Sequence, residues 1–162
     1  MLTRLFPAQI DNRYRGYRLA LWLFVPILFV DLVMGINTMI HTRDVIQGAD
    51  AIPLDSYGVT PARIIVQCFK SWALCLALMS SLGVLALIRY RAMVPLTYLL
   101  LALENGGRRA LQLAYPVHPG AHPGRLSVGG WINLSLLTAL IVGFLLSLGG
   151  WSRAREKRDA SS

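Results

Sequence analysis

The chain has 162 residues, of which 55% are hydrophobic and only 15% charged, with a mean hydropathy of +0.52. That is too little polar surface for an ordinary soluble domain, where about a quarter of residues are charged; lipid-facing surface needs no such shell. The net charge of +8 would suggest nucleic acid in a soluble protein, but the basic residues flank apolar runs and no recognition motif accompanies them, so nucleic acid is excluded as an expected partner and membrane lipid takes its place.

A bilayer core takes about 20 mostly apolar residues in a helix, and four segments are read as spans on that basis. The first covers about residues 19–40, beginning LALWLFVPILFV, and carries Pro26 and, near its middle, Asp31. A cleaved signal peptide is not expected: the run is long, contains Asp31, and ends well before the small-x-small pattern Ala49-Asp50-Ala51. Residues 41–61 form an outward connection rich in Gly, Pro, Asp and Ser. The second span covers about 64–88, with Gln67 and Lys70 near its start. Its cysteines, Cys68 and Cys75, would stand ~10 Å apart on a helix, too far for a disulfide, and read as small apolar core residues.

Only Arg89-Tyr90-Arg91 separates the second span from the third. The third is the difficult one. AMVPLTYLLLAL is apolar, but stopping at Leu103 would leave a helix of ~18 Å, too short to cross. Continuing over 92–115, to Tyr115 before Pro116, gives a full span, yet puts Glu104, Arg108 and Arg109 in or near the outer half of the membrane. A re-entrant segment, loosened at Gly106-Gly107, is the competing reading. The fourth span, about 128–149, contains no charged residue. It follows a Pro- and Gly-rich connection in which His118 and His122 each begin an HPG triplet. Pro119 and Pro123 forbid the helix that would pair these histidines on a metal, and no Cys or carboxylate joins them, so no metal and no cofactor is expected.

The basic residues orient the chain. With four spans, Arg4, Arg13, Arg15, Arg18, Arg89, Arg91, Arg153, Arg155, Lys157 and Arg158 all fall on one side, which the positive-inside rule makes cytoplasmic. Trp22, Trp131 and Trp151 sit near span ends, as interfacial anchors do. The expected fold is therefore an all-α integral membrane protein: a single four-transmembrane-helix antiparallel bundle over 1–162, N-in and C-in, with a basic cytoplasmic tail over 151–162. A bacterial-type cell inner membrane is the expected location.

Ionisable side chains inside a membrane are costly and mark candidate sites. Counting ~1.5 Å per residue from Arg18 and Arg91, Asp31 and Glu104 stand ~20 Å above the cytoplasmic boundary, and Lys70 and Arg108 ~26–28 Å above it. Two acids at one level with two bases a turn above them suggest a mutually neutralising cluster, supported by Thr38, His41, Gln67 and Arg109. On the third helix Thr97, Glu104 and Arg108 share a face, with Glu104 and Arg108 in the favourable i,i+4 order. On the second, Gln67 and Lys70 or Ser71 are expected to face inward. The cluster reads either as a polar cavity for an anion, a headgroup or a proton path, or as an ion-pair network that fixes helix register.

No Walker loop, HExxH, GxSxG or CxxC pattern is present, and no catalytic residue is assigned. Small pairs such as Ala73-Ala77, Ala77-Ser81 and Gly143-Ser147 would allow close helix contact. The leading expectation is a non-enzymatic accessory, assembly or lipid-interacting factor, with a membrane-protein partner or a second copy as candidate partners. Two alternatives remain: a small carrier or channel subunit using the charged cluster, and a membrane enzyme acting on lipid or quinone through His41, Glu104 and Arg108.

Overall fold

The computed structural model of the protein describes residues 12, 14, 16–115 and 128–149. These form four long helices: α1 (Arg18–Ile40), α2 (Val59–Arg89), α3 (Val94–Ala114) and α4 (Val128–Gly149). The HPG triplets of His118 and His122, the basic tail, Trp151, and Arg4, Arg13 and Arg15 lie outside the described residues.

Three helical stretches, Arg18–Ile40, Val59–Arg89 and Gly129–Gly149, are long and apolar enough to cross a membrane, with mean hydropathies of 2.4, 2.1 and 2.1. They point to a membrane protein. Helix α3 is not among them. Its 21 residues span ~31 Å, and it runs unbroken through Gly106-Gly107, but its second half is polar.

Local sequence explains the helix ends. Gly58 takes an extended conformation before α2, and Pro61 falls in the first turn, where a missing N–H costs nothing. Pro95 plays the same part at the start of α3. Between α1 and α2 the chain is not an open loop. It forms a helical turn, Thr42–Asp44, a single π-helical turn, Val45–Ala49, and a 3-10 turn, Leu54–Ser56. Ile46 and Leu54 pack with Ala62 of α2 into a small second core.

Each helix packs on its sequence neighbours, and α1 also packs on α4, closing a ring. The register between α1 and α2 is antiparallel: Gly35 lies against Ala73 and Ala77, while Leu28 lies against Gly83. A Cβ at 35 would stand 3.1 Å from the Ala73 carbonyl oxygen and the Ala77 amide nitrogen. Small residues thus bring two backbones together, which is how apolar helices associate where lipid tails compete equally for every methylene. The Ala73-Ala77 pair is used this way, and Ser147 of the Gly143-Ser147 pair is fully buried.

The main core holds Ala20, Phe24, Leu28, Val94, Tyr98 and Leu140 among others. The Tyr98 ring meets Phe24 at 4.3 Å between centroids, and its hydroxyl donates to the Ala20 carbonyl at 2.7 Å. Gly143 leaves the space this ring occupies. Three buried hydroxyls donate to a backbone carbonyl three or four residues earlier: Ser80 to Leu76 O, Thr97 to Val94 O and Thr42 to Thr38 O. Cys68 and Cys75 are free and exposed, so the core placement expected for them is corrected. The buried stripe of α2 runs through Ala62, Ala73, Leu76, Ser80, Gly83 and Ala86 and leaves both cysteines on the outer side.

Candidate functional site

A polar centre occupies the end of the bundle nearest the α1–α2 connection. It begins with Asp31, which lies on the inward stripe of α1 between Ile27 and Gly35. The residue is 1% exposed, and its Oδ2 has no hydrogen-bond partner. Glu104 and Arg108 of α3 are the charged groups near enough to act on it.

Glu104 and Arg108 form the structured part of the centre. The Glu104 Oε1 accepts a hydrogen bond from the Trp72 indole N–H at 3.0 Å and lies 3.6 Å from Arg108 Nε. The Arg108 guanidinium sits over the Trp72 ring, 4.3 Å from its centroid, within cation–π range. Its Nη2 donates to Asn105 Oδ1 at 2.9 Å and to Asn133 Oδ1 at 3.2 Å. Side chains of α2, α3 and α4 therefore meet on one guanidinium. The Glu104 and Arg108 side chains are 27% and 22% exposed, so the pair is screened far less than a surface pair. The Glu104 Oε2 is buried and without a partner.

The α1–α2 connection reaches this centre from outside. A Cβ on Gly129 would stand 3.2 Å from Ala49 O, with Asp50 Oδ1 next to it at 3.5 Å. Burial pushes the Asp50 carboxyl above the ordinary carboxylate range, and Arg108 partly opposes that shift. Ala51, which follows, holds φ at 55°, a left-handed conformation unusual for a residue with a Cβ.

The structure brings Asp31, Glu104 and Arg108 together but not Lys70. Lys70 and Gln67 are exposed on α2, because the inward stripe passes through the neighbouring Phe69 and Val66; their expected inward orientation is corrected. Thr38 is buried in α1. His41 is exposed, with Nδ1 3.7 Å from Asp44 Oδ2. Arg109 is half-buried, and its Nη1 donates to Gln112 Oε1 at 3.3 Å. Three contributors were missed from sequence: Trp72, Asn105 and Asn133. Asn133 carried a signal, since a primary amide inside an otherwise apolar span costs energy unless it is bonded.

Beside Arg108 the helices α3 and α4 leave a small hollow lined by Asn105, Arg108, Arg109, Gln112, Asn133 and Leu137. Its enclosed part is about 10 Å³, enough for about one water molecule. No group of three or more metal-ligating side chains is found among the described residues. No family model, curated protein or solved structure matches this chain.

Proposed function

We propose that the protein is a non-enzymatic, four-span membrane protein of the accessory, assembly or lipid-interacting kind, set in a bacterial-type inner membrane with both termini cytoplasmic. The observation that carries this reading is the closed polar centre. Arg108 is held by Glu104, Asn105, Trp72 and Asn133, and the space beside it is water-sized. A centre so filled acts as a lock that fixes the register of α2, α3 and α4; a substrate path or reaction chamber needs more room.

Helix α3 is the fourth span in this reading, despite its low mean hydropathy. Thr97, Glu104, Asn105 and Arg108 turn toward the bundle, while Leu100, Leu103, Leu111 and Leu113 are exposed. Single-cysteine labelling on a background lacking Cys68 and Cys75 tests the topology. Four spans require position 44 to label from outside and position 90 and the tail to label only after permeabilisation; a tail that labels from outside overturns it. The accessory role expects a lipid or protein companion after mild extraction, and a chain that always purifies alone counts against it.

A small carrier or channel subunit is the second reading. It draws on the unpartnered Asp31 Oδ2 and Glu104 Oε2, which offer acceptors to a passing proton or cation. Asp31→Asn or Glu104→Gln would then abolish a flux while folded protein still accumulates in the membrane.

A further inference from the structure

We propose that the polar centre is a proton-binding site, with the proton held on Asp31 Oδ2 and the Glu104 carboxylate left ionised. The proposal rests on the second reading above for its residues and names the ion as a proton; binding is measured apart from flux. Asp31 is 1% exposed, and its Oδ2 has no hydrogen-bond partner. Among the described residues no cation lies within ion-pairing distance of it. Arg108, the cation that acts on it, makes its close contacts elsewhere, with Glu104, Asn105, Asn133 and the Trp72 ring. A carboxyl so enclosed takes up a proton in preference to carrying an unpaired charge.

The neighbours decide which carboxyl holds the proton. Glu104 Oε1 accepts the Trp72 indole N–H at 3.0 Å and faces Arg108 Nε at 3.6 Å. That Nε, itself without a hydrogen bond, lies on the Glu104 oxygen and not on Asp31. The charges agree. Asp31, Glu104 and Asp50, on which Arg108 also acts, set three carboxyls against the two guanidiniums of Arg108 and Arg109, and one proton closes the difference. From the other helices packed on α1, no titratable group among the described residues faces Asp31. Helix α2 meets this stretch of α1 through Ala73 and Ala77 at Gly35, and residues 128–149 of α4 include no titratable side chain. A metal cation takes a shell of several oxygens, and no group of three or more metal-ligating side chains is found among the described residues. A proton needs one oxygen.

The test follows the carboxylic C=O stretch of the full chain in nanodiscs by infrared spectroscopy as the pH is raised. Wild type is expected to show a protonated carboxyl at neutral pH that titrates away in alkaline buffer and that Asp31→Asn abolishes. Glu104→Gln should lower the proton affinity of that carboxyl about tenfold, the effect of removing one nearby like charge, and serves if Asp31→Asn fails to fold. A neutral-pH spectrum without the band, a band that Asp31→Asn leaves in place, or an affinity that Glu104→Gln leaves unchanged overturns the proposal. Loss of the band when sodium chloride replaces potassium chloride at fixed pH would assign the site to a metal cation and overturns it as well. Proton flux into sealed vesicles is read separately: a site that titrates without passing protons sinks the carrier reading and leaves the binding site standing.

Discussion

The two ends of the bundle are built on opposite principles. At one end Phe24, Leu28, Tyr98 and Leu140 are fully buried, and space is set by glycine: Gly83 admits Leu28 and Gly143 admits Tyr98. At the other end the centre is a guanidinium with four polar or aromatic partners. The first end is specified by shape, so almost any added atom is felt. The second is specified by complementary charge and hydrogen bonds, and tolerates exchange of its groups only if they change together. One protein thus fixes its helices twice, by fit and by pairing.

Overpacking should break the shape-specified end most severely. A side chain at Gly143 would overlap the Tyr98 ring, which is itself pinned by its hydrogen bond to Ala20. Gly143→Val is expected to cost about 3 kcal/mol, read as a fall in thermal stability of the detergent-solubilised protein. Gly83→Ala presses on the end of the Leu28 side chain, which can move, and should cost less.

The pairing-specified end should show a different signature. Arg108→Leu strands Glu104 without its cation and is expected to cost about 2 kcal/mol, below the cost for a fully buried pair because both groups keep some exposure. The double variant Glu104→Gln/Arg108→Gln should recover most of that loss, since neither uncompensated charge remains. A double variant as unstable as Arg108→Leu alone would mean that the centre is held by shape after all.

The smallest effect sharpens the boundary between the centre and the connection that covers it. The folded-state pKa of Asp50 is raised above 3.8, so its protonated form is the one the fold prefers. Its contribution is fully present below the unfolded value and is lost as pH rises through the folded one. Protection of the amides over Val45–Ala51, that is, exchange corrected for its intrinsic pH dependence, should therefore be greater near pH 4 than at neutral pH, by less than about 1 kcal/mol in local stability. Asp50→Asn should remove that pH dependence, and Arg108→Gln, which removes the opposing cation, should steepen it.

Much of this was legible in the sequence, for specific reasons. The three apolar spans are long enough to be read from hydropathy alone. Asp31, Glu104 and Arg108 stood out because charge inside an apolar run is expensive. Lys70 was misplaced because residue counting gives height along a helix but not azimuth. The azimuth of α2 is set by which residues are small enough to meet α1, a property of the pair. Asn105 and Asn133 were passed over because they are uncharged, although an amide inside the apolar α4 run was a signal, and Trp72 because an indole carries no charge to set it apart in an apolar run. None of them becomes a site residue until three helices meet at Arg108.

The one-sided polarity of α3 also bears on how the protein is made. The leucine face alone is too weak a signal for this segment to partition into the bilayer as an independent unit. In the four-span reading its stop in the membrane depends on partners, with Trp72 delivered earlier on α2 and Asn133 later on α4. If α3 is the fourth span proposed above, insertion is coupled to assembly, and the last two helices are expected to enter as a hairpin.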